Sequence, residues 1–502
     1  MDNQIKKYLE YRKKIIAFRY IDWLINWDQK TQAPPKSASF RSEQVEVLSE
    51  MYFELRRNDD FLATIDYLIE NIDKIEDQDL RKDVKAINKE LRIIRNVPID
   101  EYIEHQVVLA KSTKVWQEAR VLDDFDHFVP ILEKLVDYNI NITKYLETDT
   151  LKGYDVLLDI YESESDQEQY DEFFDYLKEE LVPFVMEITK GRREQFNRKL
   201  VSREYPIDDQ KRFSRHLINA FYYDLDRGGI RDTIHSFTAG ISTDDIRITS
   251  SYEEKNFTKS IFSVMHELGH AIYDQNNDPK YNGTFLFGSP SFGIQEAQAR
   301  MYENMIGRSY AFWSKNYPAL VEIFPKQLSG ISVVEFYKSI NQVKRSRIRT
   351  ESDELTYSLH IMVRYEIEKE LFSKKLKVRD IPRRWRTLMA QYVGIRPAND
   401  LEGPLQDIHW AIGNFGYFPV YALGSAYAAQ IYQAMNKDIN VESAIENDHI
   451  YLINDWLKDK INKYGASKSS KELLFNATKE KFNPKYYIEY LKNKFSALKY
   501  DE

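Results

Sequence analysis

The chain has 502 residues, 43% of them hydrophobic and 14% aromatic, which is ample for a large packed interior and allows one or two domains. Its 71 basic and 80 acidic residues leave a net charge of −9, which favours solubility and argues against a nucleic-acid surface. There is no cysteine, which excludes disulfides and thiol catalysis and leaves only His and carboxylates to hold a metal, while the low count of 17 Gly and 15 Pro favours long helices.

The first twenty residues are charged throughout and lack the apolar run of a secretory signal, and no stretch approaches 18 apolar residues. A cytoplasmic location with no membrane span is expected. From Met1 to about Asn197, apolar residues recur at three and four spacing, as in Tyr8, Tyr11, Ile15 and Phe18 or Phe173, Phe174, Leu177 and Leu181. This predicts a scaffold of amphipathic helices over residues 1–200, broken at 32–36, where Pro34 and Pro35 force an extended corner. Between Asp226 and Glu254 glycines appear, and the alternation of Asp245 to Thr249 around Ile246 and Ile248 predicts short strands.

Helical periodicity resumes near Phe257 and runs through Tyr273, followed by a loop over 276–293 and a new helix near Ile294. Residues 331–376 read as one or two long helices. They carry the basic cluster Lys344, Arg345, Arg347 and Arg349, which as charge alone reads as a solvated helix face. Residues 413–424 form an aromatic, glycine-bearing turn before the last helical stretch, and there is no internal repeat.

The helix over 257–273 contains His266-Glu267-Leu268-Gly269-His270. Four residues advance about 400° around a helix, so both imidazoles leave the same face one turn apart, where they can reach one tetrahedral metal. Glu267, beside the first ligand, is placed to take a proton from the attacking water. Two imidazoles leave the ion one protein ligand short. Glu296, 26 residues beyond His270 in the first turn of the returning helix, is the leading candidate, with Glu303 its rival. Asp274, four residues past His270, is either an acceptor that fixes an imidazole tautomer or a plain helix-end carboxylate.

These blocks resemble the carboxypeptidase Taq family of zinc metallocarboxypeptidases over almost the whole chain. Trp27-Asp28-Gln29 with Thr31, Pro34 and Pro35 resembles an N-terminal family segment, His235-Ser236-Phe237 its H-P-F, and Asp245 to Thr249 its D-x-R-x-T strand. Gly293 to Ala297 corresponds to the block carrying the zinc-binding Glu, which independently supports Glu296. Ile348 to Asp353 resembles I/V-R-x-x-A-D, and Gln406 to Trp410 with 413–424 matches the aromatic block. Four positions depart from the pattern: Ser236 for Pro, Gln295 for His, Ala297 for Ser and Ser352 for Ala.

The resemblance implies a mainly α fold, a large helical metallopeptidase with a long central cleft, the H-E-x-x-H helix and a small β-sheet near the active site. It is expected as one domain over 1–502: scaffold 1–200, zinc site and cleft 225–430, C-terminal helices 431–502. It further implies one zinc per chain, replaceable by cobalt, a homodimer, and broad release of C-terminal residues other than proline from peptides with a free C-terminus. Glu267 is the expected base, with Tyr417 and His409 near the oxyanion. Arg349 is first choice for the substrate carboxylate, because a guanidinium grips it with two parallel bonds. Arg247, His235 and Tyr421 complete the expected substrate contacts, and Arg247 can equally pair with Asp244 or Asp245. The strand over 245–249 is also expected to bind substrate backbone at its edge. The alternatives are an endo-oligopeptidase with the same chemistry and, in a different class, an inactive zinc-bearing peptide-binding scaffold.

Overall fold

The computed structural model describes residues 1–190, 200 and 202–498. Helix α1 (Asp2–Thr31) runs into the corner at Pro34, where the chain turns into α2 (Ala38–Arg56), α3 (Asp59–Glu70) and α4 (Gln78–Glu90). Asn58 and Asp77 start α3 and α4 by accepting backbone N–H groups of the first turn, as their side chains favour. The apolar faces of α1, α3 and α4 form a core of their own from Tyr8, Ile15, Phe61, Ile65, Val84 and Ile87, and the aromatic ring that completes it, Phe285, comes from far along the chain. Asp83, 2% exposed, is the polar centre of this bundle and accepts from Tyr8 Oη (2.6 Å), Arg12 Nη1 (2.6 Å) and Phe285 N (2.7 Å).

Helices α5 (Arg92–Asn96), α6 (Ile99–Leu122), α7 (Phe125–Leu146), α8 (Tyr154–Tyr161), α9 (Gln167–Ile188) and α10 (Ile207–Ala220) extend the scaffold and enter a second, larger core. The stretch 191–197 at the end of the expected scaffold lies outside the described residues.

The expected strands form one sheet of β1 (Gly228–Asp232), β2 (Thr238–Ser242) and β3 (Asp245–Ser250), in the order β1-β3-β2. Strand β3 pairs parallel with β1 and antiparallel with β2, so its backbone groups are taken on both sides. Edge addition of a peptide to 245–249 is therefore ruled out; β2, paired on one side only within the sheet, lies with β3 against the metal helix and bonds it through Thr238.

Next come α11 (Phe257–Gln275), α12 (Phe292–Arg300) with a wide π turn over Met301–Ile306, and α13 (Tyr310–Ile323). Of the one or two helices expected over 331–376 the structure has two, a short α14 (Val333–Ile340) and a long α15 (Glu354–Phe372). Asp353 explains the break: one carboxylate oxygen caps α15 at Leu355 N and Thr356 N while the other takes Lys344 N, folding the linker back onto the cap. The basic cluster thus lies on no α-helix face, and Arg345, Arg347 and Arg349 bond Thr189, the Arg396 carbonyl and Asp407 in turn.

After α16 (Ile381–Tyr392), helix α17 (Pro419–Asp438) begins inside the expected aromatic turn, because Pro419 pre-sets the first helical position, so Tyr421 and Gly424 are helical. Helices α18 (Val441–Glu446), α19 (Ile450–Lys460), α20 (Ser470–Thr478) and α21 (Lys485–Ala497) close the chain, and 499–502 lie outside the described residues. No helix among the described residues is long and apolar enough to cross a membrane.

Candidate active site

Helices α11 and α12 cross where Gly269 meets Ala299; a Cβ on Gly269 would stand 2.5 Å from the Ala299 Cα. That close approach brings Glu296, in the second turn of α12 rather than the first, over the histidine face. The Nε2 atoms of His266 and His270 are 3.2 Å apart, and Glu296 Oε2 lies 3.7 Å and 3.8 Å from them. A tetrahedron with arms of roughly 2.0–2.1 Å has edges of about 3.3 Å. Two imidazole nitrogens and a carboxylate oxygen at these separations therefore suit one small divalent ion, and these three residues form the metal-competent cluster found among the described residues.

The neighbours orient each ligand. Glu303 Oε2 is 3.0 Å from His266 Nδ1, which puts the proton on Nδ1 and frees the Nε2 lone pair. The rival ligand is therefore a partner of the imidazole. Arg300 donates to Glu296 Oε1 (2.7 Å) and to Glu303 Oε2 (3.2 Å), so one Glu296 oxygen is engaged and the other faces the histidines. Burial alone would raise the Glu296 carboxyl, but Arg300 and the two histidines hold it below its usual range. His270 is pushed down to about 3 by burial and by His266, so it stays neutral, as a ligand must. Gly424 of α17 backs Glu296: an added Cβ would stand 2.7 Å from its Cγ.

Glu267, 6% exposed, has its carboxyl pushed up by burial. Its Oε2 accepts from Thr238 Oγ1 at 2.7 Å, which ties the carboxylate to strand β2. Nothing in the sequence marks Thr238 beyond its place directly after the His235-Ser236-Phe237 block. Ser236 bonds Ser263 of the metal helix, a link the family's proline could not make. Asp274 is approached by Gln295 Nε2 (3.3 Å), and burial pushes it up to about 7. The residue substituted for the family's histidine is thus Asp274's partner.

The aromatic block is held from beneath by Glu368, which accepts from Tyr154 Oη, Trp410 Nε1 and Gly416 N, each at 2.7 Å. Gly416 has φ +84°, a conformation that side chains disfavour, and it lets the turn present Tyr417. The Tyr417 and Tyr421 ring centres are 5.1 Å apart, and His409 Nε2 is 3.2 Å from Tyr421 Oη. Burial pushes His409 down to about 4, so its ring is neutral at pH 7.

Arg349 lies against the same group, 5.2 Å over the Tyr421 ring. Its Nε and Nη2 donate to Asp407 Oδ1 (2.9 and 2.8 Å) and its Nη1 to Tyr357 Oη (3.0 Å), while Ser352, in place of the family's Ala, bonds its carbonyl (2.6 Å). The Tyr357 ring is stacked under Arg300 at 4.2 Å and so links this cluster to the metal ligands. Arg247 is not drawn into it. Its guanidinium forms a fork on Asp245 (2.7 and 2.7 Å) and stacks 4.6 Å over Trp23 and 5.5 Å over Trp27 of α1. His235 is exposed on the connection between β1 and β2.

A family model described as carboxypeptidase Taq (M32) metallopeptidase matches residues 7–495. The chain is 37% identical to carboxypeptidase 1 of Bacillus subtilis over 494 residues and 32% identical to thermostable carboxypeptidase 1 of Pyrococcus furiosus over 502, with 98% of each chain covered in both cases. The crystal structure of an M32 carboxypeptidase from Deinococcus radiodurans superposes with a TM-score of 0.93 at 29% identity, covering 99% of both chains.

Proposed function

Since the chain belongs to the carboxypeptidase Taq (M32) family of metallopeptidases and is a metallocarboxypeptidase, we propose that it releases C-terminal residues from short peptides, with zinc on His266, His270 and Glu296 and Glu267 as general base. The observation that carries this reading is the nearly tetrahedral set of two Nε2 atoms and one Oε2 with a buried carboxylate beside it. Zinc suits a His₂Glu donor set, with cobalt as a substitute, and when bound it supplies Lewis acidity and acidifies water.

The chain's own residues do the rest. Glu267 takes the water proton and delivers it to the departing amine, and Thr238 holds its carboxylate at the required angle. Tyr417, with His409 and Tyr421 behind it, donates to the developing oxyanion. Arg349, aimed by Asp407, receives the substrate α-carboxylate beside Tyr421. Arg247 and His235 act from the sheet side: the clamp of Arg247 on Asp245 and α1 sets the position of β3, and the exposed His235 ring is open to the peptide.

The full length 1–502 works as one unit in the cytoplasm and as a homodimer. The dimer is supported by α2, which buries none of its residues within the chain and exposes Phe40 (69%), Val47 (52%) and Met51 (50%).

The test is Glu267→Gln in metal-loaded protein. Turnover of an unblocked peptide should fall by about 10² to 10⁴ with metal content unchanged, and mass analysis of wild-type products should show shortening from the C-terminus. Undiminished hydrolysis by that variant would remove the mechanism.

A further inference from the structure

On the side of α17 away from the metal site lies a cavity of about 960 Å³, at the upper end of the roughly 300–1,000 Å³ range of small-ligand sites. At 100° per residue, Tyr421 and Gly424 leave α17 towards Arg349 and Glu296, whereas Leu423 and Tyr427 point into this second space. The helix is therefore shared by two sites.

The cavity wall is aromatic. Phe173 and Phe482 meet edge to face at 5.5 Å, Tyr427 and Phe482 at 5.2 Å, and Tyr170 completes the floor. The Tyr170 side chain is 2% exposed, and its hydroxyl lies near Ser165, another lining residue, without a well-formed hydrogen bond, whereas a buried tyrosine usually makes one. The rim carries both signs of charge. Of the charged lining residues, Lys471 bonds the Glu164 carbonyl and Glu472 caps Ser469, whereas Glu172 and Lys481 are exposed and make no ion pair with the described residues.

We propose that this cavity binds a short apolar peptide as a zwitterion, with its ammonium on Glu172, its carboxylate on Lys481 and its side chains among Tyr170, Phe173, Tyr427 and Phe482. The volume suits several residues rather than one amino acid, and rim charges of both signs suit a chain with both ends free. The site is separate from the zinc chemistry. Tyr427 nevertheless touches the metal side: its Cε2 would be 3.6 Å from a Cβ on Gly293, three residues before Glu296.

A photoreactive tripeptide tests the idea: benzoylphenylalanine, leucine and a C-terminal D-phenylalanine, which keeps both charges and resists hydrolysis. After irradiation of the metal-loaded protein, adducts are expected on residues 164–173, 423–427 or 469–484. Lys481→Glu and, separately, Glu172→Lys should each lower that labelling about tenfold without altering peptide turnover. The acetylated and amidated forms, and free phenylalanine, should compete at least tenfold more weakly than the unblocked tripeptide. Adducts confined to the metal-site segments, labelling unchanged in both variants, or equal competition by the blocked forms or by phenylalanine would each overturn the proposal. Because labelling is read directly, these outcomes do not depend on whether Glu267 is the base.

Discussion

Arg349 shows how a residue's surroundings define its work. Two of its donors are fixed on Asp407, which Arg364 also grips at 2.7 Å, so the guanidinium plane is set before any substrate arrives. A lysine would keep the charge and lose the fork. Arg349→Lys should therefore lower kcat/KM for free-acid peptides by about 10- to 100-fold, the equivalent of one or two charge-assisted bonds, and bring free-acid and C-terminally amidated peptides towards equal rates. An unchanged preference for the free acid would assign carboxylate recognition elsewhere. His266, Glu267 and His270 were legible because helical periodicity and ligand spacing coincide in one short stretch. Thr238, and the role of Glu303 as an imidazole partner, were not, since these residues act by touching side chains 29 and 37 residues away and nothing local in the sequence marks that contact.

Helix contacts turn these side chains into a site. Ala is normally favoured over Gly inside a helix by about 1 kcal/mol, yet Gly424→Ala would drive a methyl to within 2.7 Å of the Glu296 Cγ and 2.8 Å of its Cβ. The overpacking costs about 1–3 kcal/mol, so the clash outweighs the propensity. The variant should bind zinc more weakly in a competitive chelator titration and melt at a lower temperature, and equal affinity would mean that α17 does not position the ligand.

Glu368 organises the aromatic turn in the same way, and burial pushes its carboxyl up to about 7 from 4.5. A carboxyl raised in the folded state stabilises fully below its unfolded pKa, and that stabilisation is lost as pH climbs through the folded value. The loss, on the order of 3 kcal/mol, falls between about pH 4.5 and 7. The melting temperature of Glu368→Gln should vary less over that interval than that of the wild type, and parallel curves would contradict the assignment. The helices, strands and intervening loop were legible because each has its own period. The position of the break between α14 and α15 and the central place of β3 were not. The first depends on Asp353 capping one segment while holding another, and the second on pairing partners that a strand's own residues do not name.

For the whole molecule, the exposed row on α2 bears on assembly. If a second copy covers it, Phe40→Glu should convert the species seen by light scattering from two chains to one at micromolar concentration while leaving peptide turnover measurable. An unaltered mass would place the interface on another face. The contribution of Phe285 to the N-terminal bundle has a further implication for biosynthesis. During translation the first four helices leave the ribosome with an aromatic position in their interior still unfilled, and its occupant is made roughly 190 residues later, on the order of ten to forty seconds at ordinary elongation rates. The segment that supplies it also joins the two ligand-bearing helices, so the earliest-made part of the enzyme and its metal centre are expected to mature together, late in synthesis.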